Sequence, residues 1–403
     1  MAVVCARPKA KGKDQVSTEE FGLALIEFVR AEYRTDEFIP LHIPRLGGRE
    51  RELVADAVES SFVSSVGRYG VEFEAAVAEY TGAPFAVAVM NGTAALHLCL
   101  VLAGVQRDEE VITQAVTFVA TCNAIRYCHA HPVLVDIERP TLGMSPDSLE
   151  RWLEANAELG DDGLCRNRST GRIIRACVPM HSFGHPVRIE RIAEICKRFG
   201  LVLIEDAAES LGSFYRGKHT GLVGDLAALS FNGNKIITTG GGGMILTRDE
   251  GLAERARHLS TTAKVAHRWD YFHDEVGYNY RMPALNAALG CAQMASLPGF
   301  VAAKRALAER YRAWFVETDY EFVMEPEGAA SNYWLNAFFA RDRGERDTLL
   351  EVTNEAGVMT RPVWVPMHRL PAFEGCQAAG LETSEWVAER LVNLPSWPED
   401  EKR

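Results

Sequence analysis

The chain has 403 residues, 47% of them apolar, enough to bury a large core and to divide into one larger and one smaller unit. Its net charge of -12 and isoelectric point near 5.5 argue against nucleic acid or an anionic membrane as the main partner, while leaving room for a local phosphate pocket. No unbroken apolar run approaches membrane-spanning length and Met1 to Asp14 lack the apolar core of a signal sequence, so a cytoplasmic protein is expected.

Residues 1–15 are small, basic and irregular, and read as a disordered tail. Ser17-Thr18-Glu19-Glu20 has the form of a capping box, opening a helix whose Phe21, Leu25, Phe28 and Val29 recur at helical spacing. A second helix is predicted to begin over Gly47-Gly48-Arg49-Glu50 and run through Val54 and Val58, followed by Phe62 to Tyr69, a stretch suited to lining a pocket or to plain connection. From Phe85 the chain alternates. Phe85 to Met90, Val111 to Thr113, Pro132 to Asp136, Ile173 to Met180 and Leu201 to Glu205 read as strands, with helices after Asn91, from Thr117 to Ala130, and from Ile189 to Phe199. That order predicts a mostly parallel sheet covered by helices on both faces. Leu159 to Gly171, rich in Asp, Arg and Gly, reads as a surface loop. After Pro283 a long helical stretch to Thr318, interrupted near Pro298, leads to strands at Tyr320 to Val323 and Tyr333 to Ala340 and to helices at Arg346 to Ala356 and Glu385 to Val392. The expected division is a tail over 1–15, a large α/β domain with the N-terminal helices over 16–290, and a small α+β domain over 291–403. The small α+β domain is expected to be joined by N-terminal segments.

Nine cysteines are scattered without a Cys-x-x-Cys pair and read as reduced core residues. His181 with His185, or His129 with His131, lack a third ligand at suggestive spacing, so no metal is expected.

Four short segments carry the chemistry. Lys235 lies between an apolar strand-like run, Leu226 to Phe231, and the glycines Gly240 to Gly243. A solvated loop lysine is ordinary, but a desolvated one becomes a nucleophile able to form a Schiff base. Asp206 ends the continuously apolar strand Leu201 to Glu205, at the carboxyl edge where open α/β sheets place ligands. Asn91-Gly92-Thr93-Ala94 marks a strand giving way to a helix, whose free N–H groups suit a phosphate or simply a helix cap, and Ser230 could add a hydroxyl. Phe118 opens a helix at a strand end, where an aromatic can stack on a flat ring or pack in a core.

Together with Glu205 to Gly212, Gly277-Tyr278-Asn279-Tyr280-Arg281-Met282 and Asn393-Leu394-Pro395-Ser396, these segments stand in the order found in a known family. Over residues 38–397 the chain resembles the sugar-nucleotide aminotransferases of the DegT/StrS-like group, which have pyridoxal phosphate (PLP) fold type I. The resemblance implies an aspartate aminotransferase-like large domain, with a mostly parallel sheet of seven-stranded type, and a smaller α+β domain. It implies PLP as cofactor, L-glutamate as amino donor and a nucleotide-linked keto sugar as acceptor. Lys235 would carry the cofactor, Asp206 would pair with its ring nitrogen, and Phe118 would stack on the ring. Gly92, Thr93, Ala94 and Ser230 would bind its phosphate. Asn279 would reach the phosphate of a neighbouring subunit, which implies a homodimer with shared sites, and Arg281 and His368 would bind substrate. Phe38 to His42, Phe62 to Gly67, Ser230 to Lys235, and Arg361 to Trp364 with His368 resemble the LegC-type branch, which aminates the 4-keto group of a nucleotide-linked 4-keto-6-deoxy-N-acetylhexosamine. The alternatives are another keto sugar, of the GDP-perosamine type or a 3-keto sugar, and a PLP-binding regulatory module without turnover. One position departs from the family pattern: Glu209 stands where many members have Gln or His beside the cofactor's phenolic oxygen. An ionised carboxylate there would repel a phenolate, so Glu209 is expected either to be protonated or to face a donor.

Overall fold

The computed structural model describes residues 17–378 and 380–398; the expected tail over 1–15 lies outside them. Eleven helices are described: α1 (Thr18–Tyr33), α2 (Glu50–Glu59), α3 (Arg68–Thr81), α4 (Gly92–Leu102), α5 (Val119–Tyr127), α6 (Pro146–Asn156), α7 (Ile189–Phe199), α8 (Glu250–Ser260), α9 (Ala284–Phe315), α10 (Arg343–Glu355) and α11 (Glu382–Arg390). Seven strands build most of the large sheet: β1 (Phe85–Val89), β2 (Glu110–Gln114), β3 (His131–Val135), β4 (Ile174–Val178), β5 (Val202–Asp206), β6 (Leu226–Ser230) and β7 (Gly243–Thr247). Five shorter strands follow: β8 (Glu321–Phe322), β9 (Asn336–Phe339), β10 (Arg361–Pro362), β11 (Gln377–Ala378) and β12 (Leu391–Leu394).

The large sheet runs β1-β7-β6-β5-β4-β2-β3-β11. The pairs along β6-β5-β4-β2-β3-β11 are parallel, while β7 is antiparallel to both β1 and β6. Its eighth member, the two-residue β11, arrives from the C-terminal part of the chain, so the sheet is one strand wider than expected. Alternation along β7 shows why both faces are apolar. Met244 and Leu246 join a core with Phe73 and Val77 of α3 and Ala287, Ala288 and Leu297 of α9. Ile245 faces the other way, toward Leu96, Leu98 and Cys99 of α4.

The smaller sheet has the order β8-β9-β12-β10, all antiparallel. Helix α1 packs there and not on the large sheet. Phe21, Leu25 and Val29 share a core with Tyr311 and Phe315 of α9, Phe338 of β9 and Leu394 of β12, and the rings of Phe21 and Tyr320 stack at 3.8 Å. The N-terminal helices are therefore divided, with α1 on the small sheet and α2 and α3 against α9 and the large sheet. The capping box of α1 forms as expected, Ser17 accepting from the Glu20 N–H.

Helix α9 runs unbroken through both the 290/291 position and Pro298, where an interruption was expected. Proline removes one helical hydrogen bond and crowds the carbonyl four residues back, but here close packing on both sides of it holds the helix together. Gly290 lies so near Phe73 that a Cβ would meet its ring at 2.7 Å. Two further expectations change. Residues 157–167 form a small hairpin, Ala157–Leu159 pairing with Cys165–Asn167, where a loop was expected. Leu391 and Val392, expected in the last helix, begin strand β12. Among the described residues α9 is the one helix long and apolar enough to cross a membrane by length and composition, and its Leu297, Leu307 and Tyr311 lie in the core. The eight described cysteines are all free.

Candidate active site

Strand ends and helix starts gather at the carboxyl edge of the large sheet and enclose a cavity of about 320 Å³. Gly92 and Thr93 of α4, Phe118, Asp206, Glu209, Ser230 and Lys235 all line it. The sequence placed these residues up to 143 positions apart in chain order without fixing that they meet; the parallel topology brings them together because every crossover returns to the same edge.

Lys235 sits on the excursion between β6 and β7. The Phe231 N–H donates to the Gly242 carbonyl at 2.8 Å, the Thr239 N–H donates to the Phe231 carbonyl at 2.9 Å, and the Asn286 amide of α9 clamps the Thr239 and Gly241 carbonyls. Gly240 adopts φ +76°, which only glycine takes without strain. The Trp334 indole N–H donates to the Asn234 carbonyl at 2.7 Å, and its ring lies 4.2 Å from the Lys235 ammonium. Lys235 is 9% exposed, and its Nζ donates to Glu209 Oε1 at 3.1 Å.

Asp206 closes the opposite side. Its Oδ2 accepts from the Thr121 hydroxyl at 2.7 Å and its Oδ1 from the Ala208 N–H at 3.2 Å. Burial raises its pKa; the Thr121 and Ala208 donors, Lys235 and His181 act against this without cancelling it. A buried carboxylate whose hydrogen-bond partners here are neutral groups is a place for a protonated ring nitrogen. Glu209 is in a similar position. Burial lifts its carboxyl to about 7, against the opposing pull of Lys235 and the Phe183 N–H, which donates to Oε2 at 2.9 Å. These two groups are the donors that the sequence left unidentified.

The phosphate end is shaped by close approach. A Cβ on Gly92 would come within 2.8 Å of Ser230 Cβ, and one on Gly243 within 2.4 Å of the Asn91 carbonyl oxygen. The Ala94 N–H, expected to face a phosphate, instead donates to the Asn91 side chain at 2.7 Å. Gly92 and Thr93 belong to the first turn, whose N–H groups have no intrahelical partner, and Ser230 stands beside them. The cradle, the buried carboxylate and the lysine together fit PLP.

Four expected site residues do not line this cavity: Ala94, Arg281, His368 and Asn279. Arg281 is committed to Glu74, which accepts from its Nη1 at 2.7 Å, and to the Ala88 carbonyl. His368 meets Glu385 at 2.5 Å. Asn279 lies in the segment after an exposed hairpin formed by Lys264–Val265 and Phe272–His273, bridging to Thr261. Phe62, Val63 and Val66 are exposed and do not line this cavity. His181 and His185 do not converge on a metal site: His181 bonds Glu205 at 2.9 Å. Trp334 was missed, because its strand-like surroundings gave no sign that its ring would cover Lys235. Thr121 lay within a noted segment, but only the α5 geometry aims its hydroxyl at Asp206. Trp364 completes the aromatic wall, stacking on Phe183 at 5.1 Å and meeting Phe118 edge-on at 6.2 Å.

Comparison with known proteins matches residues 44–402 to the DegT/DnrJ/EryC1/StrS aminotransferase family. GDP-perosamine synthase of Escherichia coli O157:H7 is 36% identical over 363 residues, covering 90% of this chain and 94% of that protein. GDP-perosamine synthase of Caulobacter vibrioides is also 36% identical, covering 89% and 93%. Among solved structures, an aminotransferase TlmJ from Streptoalloteichus hindustanus superposes with a TM-score of 0.80 at 30% identity, covering 89% of this chain and 94% of that one.

Proposed function

The chain belongs to the DegT/DnrJ/EryC1/StrS aminotransferase family, with PLP fold type I and PLP as its cofactor, and from that premise we propose that it transfers an amino group from L-glutamate to the 4-keto carbon of a nucleotide-linked 4-keto-6-deoxyhexose in the cytoplasm. What carries the reading is that Lys235 and Asp206 face one cavity beside a helix N-terminus. Bound there, PLP supplies the electron sink that makes a carbon next to nitrogen acidic. Lys235 would hold the cofactor through Nζ, and its amine would be the base and acid that moves the donor's α-carbon proton. Asp206 keeps the ring nitrogen protonated, positioned by the Thr121 hydroxyl. Phe118, 47% exposed in the cavity, would cover the ring, and Gly92, Thr93 and Ser230 would hold the phosphate.

The GDP-perosamine synthases among the relatives favour a GDP-linked acceptor. The motifs resembling the LegC-type branch favour a UDP-linked N-acetyl sugar, of the kind used for bacillosamine or legionaminic-type glycans. Asn279 supports a homodimer: it adjoins the hairpin carrying exposed Trp269, Tyr271 and Phe272, and in a dimer would reach the partner's phosphate site.

Adding L-glutamate to the PLP-reconstituted protein should convert the cofactor's visible band to that of its amine form, and Lys235→Ala should abolish this. Offering the amine form GDP-linked and UDP-linked 4-keto-6-deoxy sugars separately then decides the acceptor. Retention of the conversion in Lys235→Ala, or no conversion by wild type, would overturn the reading; a monomer in sedimentation would overturn the shared site alone.

A further inference from the structure

A lysine attacks an aldehyde carbon only as the free amine, so an ammonium must first lose a proton to something within reach. Around Lys235 two arrangements compete. The Trp334 ring face, 4.2 Å away, favours the ammonium. Glu209 Oε1, at 3.1 Å, is the carboxylate oxygen that receives the Lys235 hydrogen bond. Asp206 is buried in the same site, but its oxygens accept from Thr121 and Ala208. Glu209 cannot swing away, because the Phe183 N–H holds its second oxygen at 2.9 Å, and it is 2% exposed. The other titratable groups facing the pair are His181, behind Asp206, and His42, whose ring nitrogens are buried without partners behind Trp334.

Resting on the reading above, we propose that Glu209 is the catalytic acid and base that takes the proton from Lys235 as its nitrogen bonds to the cofactor and returns it when the lysine is released. One N–H bond of the ammonium breaks and one O–H bond forms on Oε1, the nitrogen keeping the electron pair; that pair bonds the aldehyde carbon, whose oxygen leaves as water with the two remaining nitrogen protons, while the Oε1 proton stays until the lysine is released. The pair stays neutral throughout and needs no further reactant. Burial suits this exchange, because it penalises the separated charges of the ion pair. The lift of the carboxyl to about 7 agrees with it. The same transfer answers the difficulty of a carboxylate beside a phenolic oxygen, since Glu209 carries its proton while the cofactor is attached.

The test is the rate at which the cofactor-free full-length chain captures PLP covalently, followed by absorbance across pH. In wild type the rate should be nearly flat through neutral pH. Glu209→Gln, which cannot accept the proton, should be slower by about a hundredfold near neutrality and regain speed as pH rises. Glu209→Asp should recover part of the rate. A Glu209→Gln profile superimposed on wild type would overturn the proposal. So would a wild-type rate that climbs about tenfold per pH unit across neutrality, the behaviour of a lysine without an acceptor, and this needs no variant. Covalent capture by Lys235→Ala would instead overturn the assignment of the lysine, so the two failures are distinct.

Discussion

Thr121 shows how much of the site rests on single atoms. Its hydroxyl lies between the Asp206 carboxylate, 2.7 Å away, and the Thr117 hydroxyl at 2.9 Å. Thr121→Val keeps the shape and removes a hydrogen bond to a charged group, a loss of about 1.5 to 3 kcal/mol. The Asp206 carboxyl then holds a proton more readily and pairs less well with a protonated ring. The expected result is roughly tenfold to hundredfold weaker retention of PLP, read by equilibrium titration; unchanged affinity would show that Asp206 does not depend on this hydroxyl. Thr121 also marks where sequence reading stops. The segment Thr117 to Thr121 was recognisable, and Phe118 with it, but which side chain serves the carboxylate depends on the turn of α5 relative to β5. Arg281 makes the same point in reverse: the resemblance gave it a substrate role, while in the fold it pairs with Glu74, 207 positions away, a partner that no local pattern in the sequence shows.

At the scale of elements, the strands of the large sheet and the helices around them were legible because their apolar runs are long and bounded by turn residues. What escaped was short or contradictory locally: the two-residue β11, the hairpin at 157–167, and β12, whose sequence continues that of α11. Helix α9 illustrates tertiary override, since packing carries it through Pro298. It also buries Lys304 completely, with Nζ donating to the Trp334 carbonyl at 3.1 Å and to the Ser396 carbonyl. Burial pulls this amine down to about 7 from 10.5. Between those values the unfolded chain binds the proton that the folded chain has lost, so stability rises with pH; below about 7 both states are charged and this gain is absent. The contribution is at most about 1.4 kcal/mol per pH unit. Denaturant unfolding between pH 7 and 10 should show a slope that Lys304→Met lacks, whatever that variant's overall loss of stability. Parallel slopes would count against a buried neutral amine.

For the whole molecule, the two sheets are joined in more than one way. Strand β11 lends an edge to the large sheet, α1 crosses to the small one, and α9 contributes to the cores of both. The small unit also supplies Trp334 and Trp364 to the cavity wall. Of these joints, α9 is the single element that reaches both cores. Pro298 removes the amide hydrogen that the Met294 carbonyl four residues earlier would otherwise receive, so a bend of α9 would fall there. We predict that Pro298→Ala stiffens α9, raising thermal stability while slowing turnover at saturating sugar more than it changes the donor half-reaction; equal effects on both would show that bending at Pro298 plays no part in turnover. A residue that looks in the sequence like a helix breaker would then be the place where the enzyme stores its compliance.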